Sequence, residues 1–379
     1  MFFRKKMKYY YGLLFTFFFL FILLPYAEAG EIPDIQAKAA IIMDESSGRV
    51  LYEQNTHERL PEASLTKIMT ALLVIENGNL DQKVKISKHA AETGESSIWL
   101  EEGEILSRRE LLYSLMLNSA NDAAVALAES VAGSEERFVA KMNDRAQELN
   151  LKDTHFANPH GLTAEGHYSS AYDLASLARV GMDNNLFSQV VVTRETNVPW
   201  IGHPWQRSLF NRNQLLSRYE GARGVKTGYT NQAGPCLVGA AQRGQLKLIT
   251  VVLNTPSIYD DTEKLLDYGF QHYEAVVLKD ASKARQVKVK KGTKDFVEIK
   301  PEQDVVVAVL PEEKEHISIK TEIPEEVRAP VKKDVVLGKG KVFLKGKEIA
   351  QVNYYTQESM PEKPSFWRTF TNWLRSLFR

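Results

Sequence analysis

Cysteine is nearly absent from this 379-residue chain, which contains only Cys236. A single cysteine cannot form a disulfide within one chain, and zinc sites built from several cysteines are excluded for the same reason. Cys236 opens the apolar run 236–241, which predicts a strand, so we expect its thiol to be buried as a small apolar side chain. Stability must therefore come from a hydrophobic core, and the chain is long enough to build one.

A net charge is also absent, because 48 Lys and Arg balance 48 Asp and Glu. Without a positive excess the protein has no long-range attraction for a polyanion, so we expect no nucleic-acid partner. With 44% hydrophobic and 25% charged residues, the composition is typical of a folded protein. The charges are nevertheless unevenly distributed along the chain.

The first 29 residues have the three-part layout of a secretory signal peptide. Four basic residues between positions 4 and 8 precede the apolar run 12–24, and Ala27 and Ala29 provide a small-residue cleavage pattern. The apolar run has 13 residues, fewer than the roughly 20 that a membrane-spanning helix needs; an uncleaved membrane anchor is the alternative. Removal of residues 1–29 leaves 44 basic against 47 acidic residues, so we expect an exported, slightly acidic protein.

Residues 30–275 combine strand and helix patterns in an order that predicts an α+β domain. Apolar runs at 40–43 and 50–52 predict a hairpin, and runs at 235–241 and 246–253 predict two later strands. Apolar residues follow helical spacing in segments 64–76, 109–117, 122–131, 135–149, 171–182 and 258–268. Strands at both ends of the region with helices between them predict one antiparallel sheet packed against helical layers.

Residues 276–356 differ in composition and predict a small all-β domain. Between positions 281 and 350, 28 of the 70 residues are charged. Short alternating runs occur at 286–290, 305–310, 316–320 and 340–344, separated by proline and glycine. Such runs are typical of a β-sandwich or barrel.

Residues 357–379 end in an amphipathic pattern. On a helix, the aromatic and leucine residues of segment 366–379 fall within an arc of about 140°, whereas Arg368, Arg375 and Arg379 fall on the opposite side. Aromatic rings beside arginines, without any acidic residue, are typical of a helix that lies in the membrane interface. We therefore expect this tail to bind the membrane surface; a helix docked on the protein's own surface is the alternative.

Ser64-Leu65-Thr66-Lys67 is the first of three short motifs that carry chemistry. A spacing of three residues at the start of the predicted helix puts the Ser64 hydroxyl and the Lys67 amine on one face. A lysine whose pKa is lowered by burial and by a second cation can take the hydroxyl proton and so activate the serine. The helix start also directs free N–H groups toward whatever Ser64 attacks. Alone, the pattern equally fits an N-capping serine beside a solvent-facing lysine.

Ser119-Ala120-Asn121 is the second motif, at the break between two apolar helical runs. A hydroxyl and a carboxamide on such a connection can point into a cleft instead of a core. By itself the tripeptide carries little information.

Lys226-Thr227-Gly228 is the third motif, and Tyr229 follows it directly. Lys226 and Thr227 offer a cation and a hydroxyl to a carboxylate, and Gly228 leaves room for a substrate backbone beside the predicted strand. A phosphate-binding loop is excluded, because Val225 rather than glycine precedes the lysine.

The order and spacing of the three motifs resemble those of the penicillin-recognising serine enzymes, with their S-x-x-K, S-x-N and K-T-G elements. The longer runs PEASLTKIMT (61–70), MLNSANDAA (116–124) and NPHGL (158–162) resemble the low-molecular-mass D-alanyl-D-alanine carboxypeptidases of the peptidase S11 type. The resemblance covers about residues 36–355 and implies a β-lactamase/DD-peptidase-like fold. Members of this family also carry a β-rich second domain and an amphipathic C-terminal anchor.

What the resemblance implies is a two-step acyl transfer. Ser64 would attack the carbonyl between the two terminal D-alanines of a peptidoglycan stem peptide, with Lys67 as the base. Ser119 would pass the proton to the departing D-alanine, and water would then hydrolyse the acyl-enzyme. β-Lactam antibiotics such as penicillin would acylate Ser64 as inhibitors. No metal or other cofactor is implied, and we expect a monomer.

The resemblance also implies five substrate-binding residues. Asn121 would hold the peptide amide, and Lys226 with Thr227 would bind the terminal carboxylate. Gly228 would admit the substrate backbone, and the backbone N–H groups of Tyr229 and of the nucleophile would hold the oxyanion.

Ile258 departs from the family pattern. Many members place an arginine just before the helix that ends at 269–270, where it assists the carboxylate. Because Ile258 stands at that position, carboxylate recognition would rest more on Lys226 and Thr227.

Two other functions remain open on the same motifs. A serine β-lactamase would also need a glutamate in an E-x-x-L-N context to drive deacylation. Ala146 occupies that position before the L-N pair 149–150, and Glu165 lies outside such a context. A non-catalytic wall-binding protein is the other alternative, against which the three intact motifs argue.

His155, His160 and His167 lie close together in the sequence. Their spacings match no metal-binding motif, so we expect loop histidines rather than ligands. His160 with Gly161 is expected to shape the wall of the cleft.

Overall fold

The computed structural model describes residues 32–301 and 304–364. The α-helices in this part of the chain are α1 (Lys67–Asn77), α2 (Lys88–Ala91), α3 (Arg108–Leu117), α4 (Asn121–Ala132), α5 (Glu135–Glu148), α6 (Ala171–Asp183), α7 (Asn185–Val192), α8 (Leu215–Arg218), α9 (Ile258–His272) and α10 (Lys279–Ser282). The predicted signal peptide and the predicted helix 366–379 lie outside the described residues. None of the described helices is long and apolar enough to cross a membrane.

The strands fall into two groups along the chain. The first group is β1 (Ala39–Asp44), β2 (Val50–Gln54), β3 (Lys83–Lys85), β4 (Ile105–Ser107), β5 (Glu195–Pro199), β6 (Gln206–Phe210), β7 (Ala222–Thr230), β8 (Gly234–Arg243) and β9 (Leu246–Leu253). The second group is β10 (Glu274–Val277), β11 (Arg285–Lys290), β12 (Phe296–Lys300), β13 (Val306–Val309), β14 (Ile317–Glu322), β15 (Glu326–Arg328), β16 (Val336–Leu344) and β17 (Lys347–Thr356).

A five-stranded antiparallel sheet with the order β2-β1-β9-β8-β7 forms the centre of the first part. β1 pairs with β2 through the predicted hairpin and with β9 from far along the chain, where Ile41 faces Val251. Strands from the start and from the end of this region thus form one sheet, and most of the helices lie between them in the sequence. The predicted α+β arrangement is confirmed.

Alternation along β1 divides the sheet into two buried faces. Ile41 and Met43 join one hydrophobic core, whereas Ala40 and Ile42 join the other, because successive side chains of a strand point to opposite faces. The first core includes residues of α1, α3, α4 and α6. Helix α9 covers the opposite face through Leu265. The sheet is therefore a middle layer between helices.

Cys236 lies on β8 and is fully buried in the first core. Burial raises the pKa of its thiol to about 12, so the thiol stays protonated at physiological pH. The prediction of a buried cysteine is confirmed.

The predicted helix 64–76 is divided in the structure. Residues Ala63–Thr66 form a 3₁₀ turn, and the α-helix proper begins at Lys67. The Thr66 hydroxyl lies 2.8 Å from the Ala63 carbonyl oxygen, and Ala63 has a positive φ of 50°. This polar contact tightens the chain around Ser64, so the α-helix begins three residues later than predicted.

The β-rich part confirms the predicted second domain. Its main sheet has six strands in the order β14-β16-β17-β12-β11-β15, and β10 pairs separately with β13. β11 and β15 are parallel, whereas the other pairs are antiparallel. One core contains Val287 and Tyr354, and another contains Val307 and Val342. Met360 also packs in the first of these cores.

Arg49, in the turn of the first hairpin, connects the two parts. Its Nη1 donates to the Ala308 carbonyl and to Glu313 Oε2, both at 2.9 Å. Asp44 accepts a hydrogen bond from the Ala308 N–H at 3.0 Å. The β-rich part is thus attached at the β1–β2 hairpin, whereas the third motif lies on β7 at the other edge of the sheet.

Helix α7 and the β5–β6 hairpin are not predicted by the sequence patterns. Helix α7 is short and rich in β-branched valines, and it depends on Asn184, whose Oδ1 accepts from the Leu186 and Phe187 N–H groups. On β6, the charged Arg207 takes an inward position. A buried charge there hides the alternation by which strands are recognised.

Candidate active site

The 3₁₀ turn Ala63–Thr66, which carries Ser64 and is called the nucleophile turn below, is approached closely by two glycines. A Cβ at Gly161 would lie 1.9 Å from the Ala63 carbonyl oxygen, and a Cβ at Gly228 would lie 2.9 Å from that of Glu62. Both distances are too short for any side chain. Segment 158–162 and strand β7 therefore reach the nucleophile turn with their backbones.

The Lys67 amine makes three hydrogen bonds in the interior. Its Nζ lies 2.9 Å from Ser64 Oγ, 2.7 Å from Asn121 Oδ1 and 2.6 Å from the His160 carbonyl oxygen. A neutral amine has two N–H groups, which suit the two carbonyl-type oxygens, and its lone pair then faces the Ser64 hydroxyl. The spacing of three residues brings Ser64 and Lys67 together as predicted.

The electrostatic environment of Lys67 favours the neutral amine. Lys67 is 0% exposed. Burial, reinforced by the positive charges of Lys226 and Arg212, lowers the pKa of Lys67 well below its ordinary range. A base of lowered pKa beside a hydroxyl is what nucleophilic catalysis by serine requires.

Ser119 and Asn121 lie at the junction of α3 and α4. Ser119 is buried with a φ of 61°. The Asn121 backbone N–H donates to the Ser96 carbonyl at 2.7 Å, and its Nδ2 donates to the Gly94 carbonyl at 2.9 Å. These bonds orient the Asn121 amide with Oδ1 toward Lys67. Asn121 thus contacts Lys67 directly, and Ser119 lies two residues before it.

The third motif lies on a strand, as predicted, and this strand, β7, is at the edge of its sheet. Lys226 and Gly228 are buried on one face of the strand, whereas Thr227 is half-buried and Tyr229 is exposed on the other. Lys226 Nζ donates to the Thr227 carbonyl at 3.0 Å. Because Gly228 packs against the nucleophile turn, the first and third motifs meet at the edge of the sheet.

Arg212 is a cleft residue that the sequence patterns do not identify. Its guanidinium Nη1 donates to Ser96 Oγ at 2.9 Å. Burial, together with the charge of Arg212, lowers the pKa of Lys226 to about 7. Arg212 is thus a third cation near Lys67 and Lys226. No local spacing could indicate it, since its neighbours come from distant segments.

The buried side chains of Glu62 and His167 contact the nucleophile turn at the Thr66 hydroxyl. Glu62 Oε1 lies 2.9 Å from His167 Nε2 and 3.1 Å from the Thr66 hydroxyl. The Ala157 N–H donates to His167 Nδ1 at 2.9 Å, so Nε2 carries the proton that faces Glu62. The described residues contain no group of three His, Cys, Asp or Glu side chains placed to hold a metal ion.

Replacement of Gly161 by alanine is expected to destabilise the protein by about 3 kcal/mol or more, since the new Cβ would displace Ala63 and Ser64. Gly202→Ala is the matched control. The φ values are +88° at Gly161 and +89° at Gly202, but no described atom lies within 4 Å of the Cβ position at Gly202. Thermal unfolding and the rate of penicillin acylation are the measurements. Equal losses of stability in the two variants would show that backbone strain, and not the contact with Ala63, matters.

Lys226→Met is expected to raise the melting temperature by about 5 °C at pH 6, although it removes a cation from the cleft. The pKa of Lys226 is about 7 in the folded state, whereas the ordinary lysine value of 10.5 applies to the unfolded state. The free-energy cost of burying the protonated Lys226 amine is therefore fully present below pH 7, and it disappears as the pH rises toward 10.5. The gain in the variant should shrink across that window. A gain independent of pH would contradict this account.

Two protein-family models match this chain. Residues 27–257 match the family model of Peptidase S11, described as D-alanyl-D-alanine carboxypeptidase. Residues 273–362 match the model of the penicillin-binding protein 5 C-terminal domain. The first match spans more than half of the chain.

The chain belongs to the peptidase S11 family. It is therefore a serine hydrolase of the D-alanyl-D-alanine carboxypeptidase type, and the family resemblance expected from the motifs is confirmed. The chain is 38% identical over 337 residues to the D-alanyl-D-alanine carboxypeptidase DacF of Bacillus subtilis (strain 168), with 86% of each chain covered. It is 34% identical over 353 residues to DacD of Escherichia coli (strain K12), with 89% of this chain and 90% of the relative covered.

A solved structure of a penicillin-binding protein has a similar fold. Penicillin-binding protein 5 from Haemophilus influenzae superposes with a TM-score of 0.68 at 30% identity, and the alignment covers 87% of this chain and 99% of that one. The likeness extends over both the five-stranded sheet and the β-rich part.

Proposed function

We propose that the protein removes the terminal D-alanine from peptidoglycan stem peptides through an acyl-enzyme on Ser64. The observation that carries this mechanism is the 2.9 Å contact between Lys67 Nζ and Ser64 Oγ in a buried, cation-lined environment. Lys67 accepts the hydroxyl proton while the Ser64 oxygen bonds to the carbonyl carbon. The C–N bond to the last D-alanine then breaks, and its nitrogen takes a proton through Ser119. Water hydrolyses the ester and restores Ser64.

The oxyanion would be held by the backbone N–H groups of Ser64 and Tyr229. The close approach of Gly228 to the nucleophile turn supports this role, because two donors must converge on one oxygen. Strand β7 is at the edge of its sheet, so an extended peptide can align beside it. Asn121 would hold the peptide amide with the second N–H of its Nδ2, since the first already bonds Gly94.

The terminal carboxylate would be bound by Lys226, Thr227 and Arg212. Ile258, which stands where many family members have an arginine, packs against the second core. Arg212 would supply a charge in its place, since its guanidinium bonds Ser96 Oγ at 2.9 Å and its charge contributes to the lowered pKa of Lys226. Substrate recognition would therefore depend on a cation that enters the cleft from the segment after β6.

Replacement of Arg212 by alanine is expected to lower kcat/KM for a pentapeptide ending in D-Ala-D-Ala by roughly 10- to 100-fold, mainly through KM, because a charge-assisted hydrogen bond to the carboxylate is lost. The matched comparison is the same peptide with a C-terminal amide. Its slower hydrolysis should be unaffected by the substitution. Equal losses on the two peptides would contradict a role in carboxylate binding.

The function is tested by incubating the purified protein with penicillin and, separately, with a pentapeptide ending in D-Ala-D-Ala. We expect a single adduct on Ser64 by mass spectrometry and release of D-alanine from the peptide. The β-lactam adduct should persist, because no glutamate stands in the E-x-x-L-N context that drives deacylation in β-lactamases. Rapid turnover of penicillin, or no release of D-alanine, would refute the proposal.

We further propose that residues 1–29 direct export and are removed. In this proposal, the catalytic domain 30–275 and the β-rich domain 276–356 are held at the extracytoplasmic membrane face by the tail 357–379. The basic, apolar composition of segment 366–379 supports this arrangement. Truncation after Lys363 should abolish partition of the protein into anionic vesicles; unchanged binding would exclude the tail as the anchor.

A further inference from the structure

Three of the five tryptophans of the chain, Trp99, Trp200 and Trp205, are connected through shared contacts with Arg207 and His203. His203 lies between Trp200 and Trp205, with ring centroids 4.5 Å and 5.5 Å away and ring planes tilted by 46° and 38°. With Phe210, these residues are called the aromatic platform below. Trp99 is 71% exposed, Trp205 59% and Phe210 60%. So many exposed rings in one region mark an interaction surface.

A buried ion pair holds the backbone of the aromatic platform in place. Arg207 Nη1 and Nη2 donate to the two Glu104 oxygens at 2.6 Å and 2.8 Å. The same guanidinium donates to the carbonyls of Trp99 and Pro199, both at 2.9 Å, and its carbon lies 4.6 Å from the centre of the Trp200 ring. The Arg207 guanidinium thus connects the separate segments that carry Trp99 and Trp200. The rings are therefore exposed on a fixed backbone.

The aromatic platform is continuous with the active site through the Trp99 loop. The N–H groups on both sides of Trp99, those of Ile98 and Leu100, donate to Asp122 Oδ2 at 3.1 Å each. Asp122 directly follows Asn121, which contacts Lys67. Trp99 is therefore positioned by the residue next to the second motif.

A second connection runs along β6. The Phe210 N–H donates to Asn118 Oδ1 at 3.0 Å, and Asn118 directly precedes Ser119. At the other end of the strand, Trp205 precedes β6 by one residue. At the usual rise per residue, Trp205 and Phe210 are about 17 Å apart. The platform is thus longer than one sugar ring.

The surroundings of the aromatic platform favour an uncharged, hydroxyl-rich partner. Three exposed glutamates beside Trp99, Glu95, Glu101 and Glu102, outnumber the exposed Arg212, which bonds Ser96. This local acidic excess disfavours an anionic lipid surface or any polyanion. Carboxylates readily accept hydrogen bonds from hydroxyl and amide groups. The negative face of an aromatic ring attracts the C–H groups of a sugar ring.

We propose that the aromatic platform binds the glycan strand of peptidoglycan, through rings of N-acetylated amino sugars adjacent to the stem peptide in the active site. This inference rests on the proposed function, since the stem peptide and the glycan are parts of one polymer. The platform would raise the affinity for polymeric substrate over free peptide without touching the reacting atoms.

The test compares wild type with Trp99→Ala and Trp205→Ala, and uses Phe296→Ala as the matched control. Phe296 is a 51% exposed ring on β12, away from the cleft. Two measurements are made: calorimetric binding of a peptide-free N-acetylglucosamine tetramer, and kcat/KM for a disaccharide-pentapeptide against the free pentapeptide. We expect each platform variant to lose about three- to tenfold in tetramer affinity and in the preference for the glycan-bearing substrate. Rates on free pentapeptide should not change.

The proposal is overturned if wild type does not bind the tetramer, or if both variants bind it as wild type does. It is also overturned if the tryptophans contribute to vesicle binding, which would assign the surface to a membrane. Tetramer binding that depends on Trp99 and Trp205, without release of D-alanine from either substrate, would support the glycan site and refute the proposed function alone.

Discussion

Ser64→Ala is expected to abolish both penicillin acylation and D-alanine release, with a loss of at least about 10⁴-fold in each. The Ser64 oxygen is the atom that forms the new bond in either reaction, and alanine offers no replacement for it. The other interactions of the site cannot compensate, because a nucleophile and its base act as one unit. Intact-mass spectrometry after exposure to penicillin and an assay of released D-alanine are the measurements.

Ser217→Ala is the matched control for Ser64→Ala. Ser217 is an exposed serine whose hydroxyl donates to the Gln214 carbonyl at 3.0 Å, so its loss should leave both activities unchanged. The melting temperature of each variant shows whether the fold is intact. A penicillin adduct in Ser64→Ala would mean that another residue is the nucleophile.

Lys67→Met is expected to slow penicillin acylation by about 10³-fold, because general-base assistance is lost while the volume of the side chain is nearly kept. Burial and two neighbouring cations lower the pKa of Lys67 and so favour the neutral amine that acts as the base. In wild type, acylation should therefore slow as the pH falls and Lys67 becomes protonated. The variant should lose this pH dependence together with its rate.

Stopped-flow acylation with a chromogenic β-lactam between pH 5 and 9 measures both effects. Lys88→Met, which removes an exposed lysine from α2, should react like wild type. Circular dichroism checks the fold, since Asn121 and His160 lose a donor in Lys67→Met. An acylation rate within about tenfold of wild type would show that another group accepts the Ser64 proton.

The architecture was largely predictable because most of its elements carry a strong local pattern. The alternation of Ala40 to Met43 divides β1 between two cores, and the apolar spacing of α1 points Ile68 and Leu72 inward. Elements without such a pattern escaped prediction. Helix α7 begins at the Asn184 cap, and Arg207 of the β5–β6 hairpin is buried in an ion pair with Glu104. A charged residue is normally taken to be exposed, so the buried Arg207 hides the strand pattern in the sequence.

The contacts of the site likewise divide into a local one, which the sequence spacing predicts, and long-range ones, which it does not. Ser64 and Lys67 meet because they are spaced three positions apart in one turn, a relation that any helical start would produce. The contacts of Lys67 with Asn121 and with the His160 carbonyl join segments 54 and 93 positions away. Arg212 reaches Ser96 across 116 positions. No local pattern encodes such distances.

The sequence by itself determined the identity and order of the chemical groups: a hydroxyl beside an amine, a carboxamide, a cation on a strand, and the strand and helix patterns that carry them. Only the tertiary structure decided the reactivity of those groups. The lowered pKa of Lys67 requires removal of water and the nearness of Lys226 and Arg212, and both depend on packing between distant parts of the chain. The exposed tryptophans likewise became one surface only through the fold. Local spacing can place two atoms within reach, but desolvation and electric fields depend on the surrounding elements.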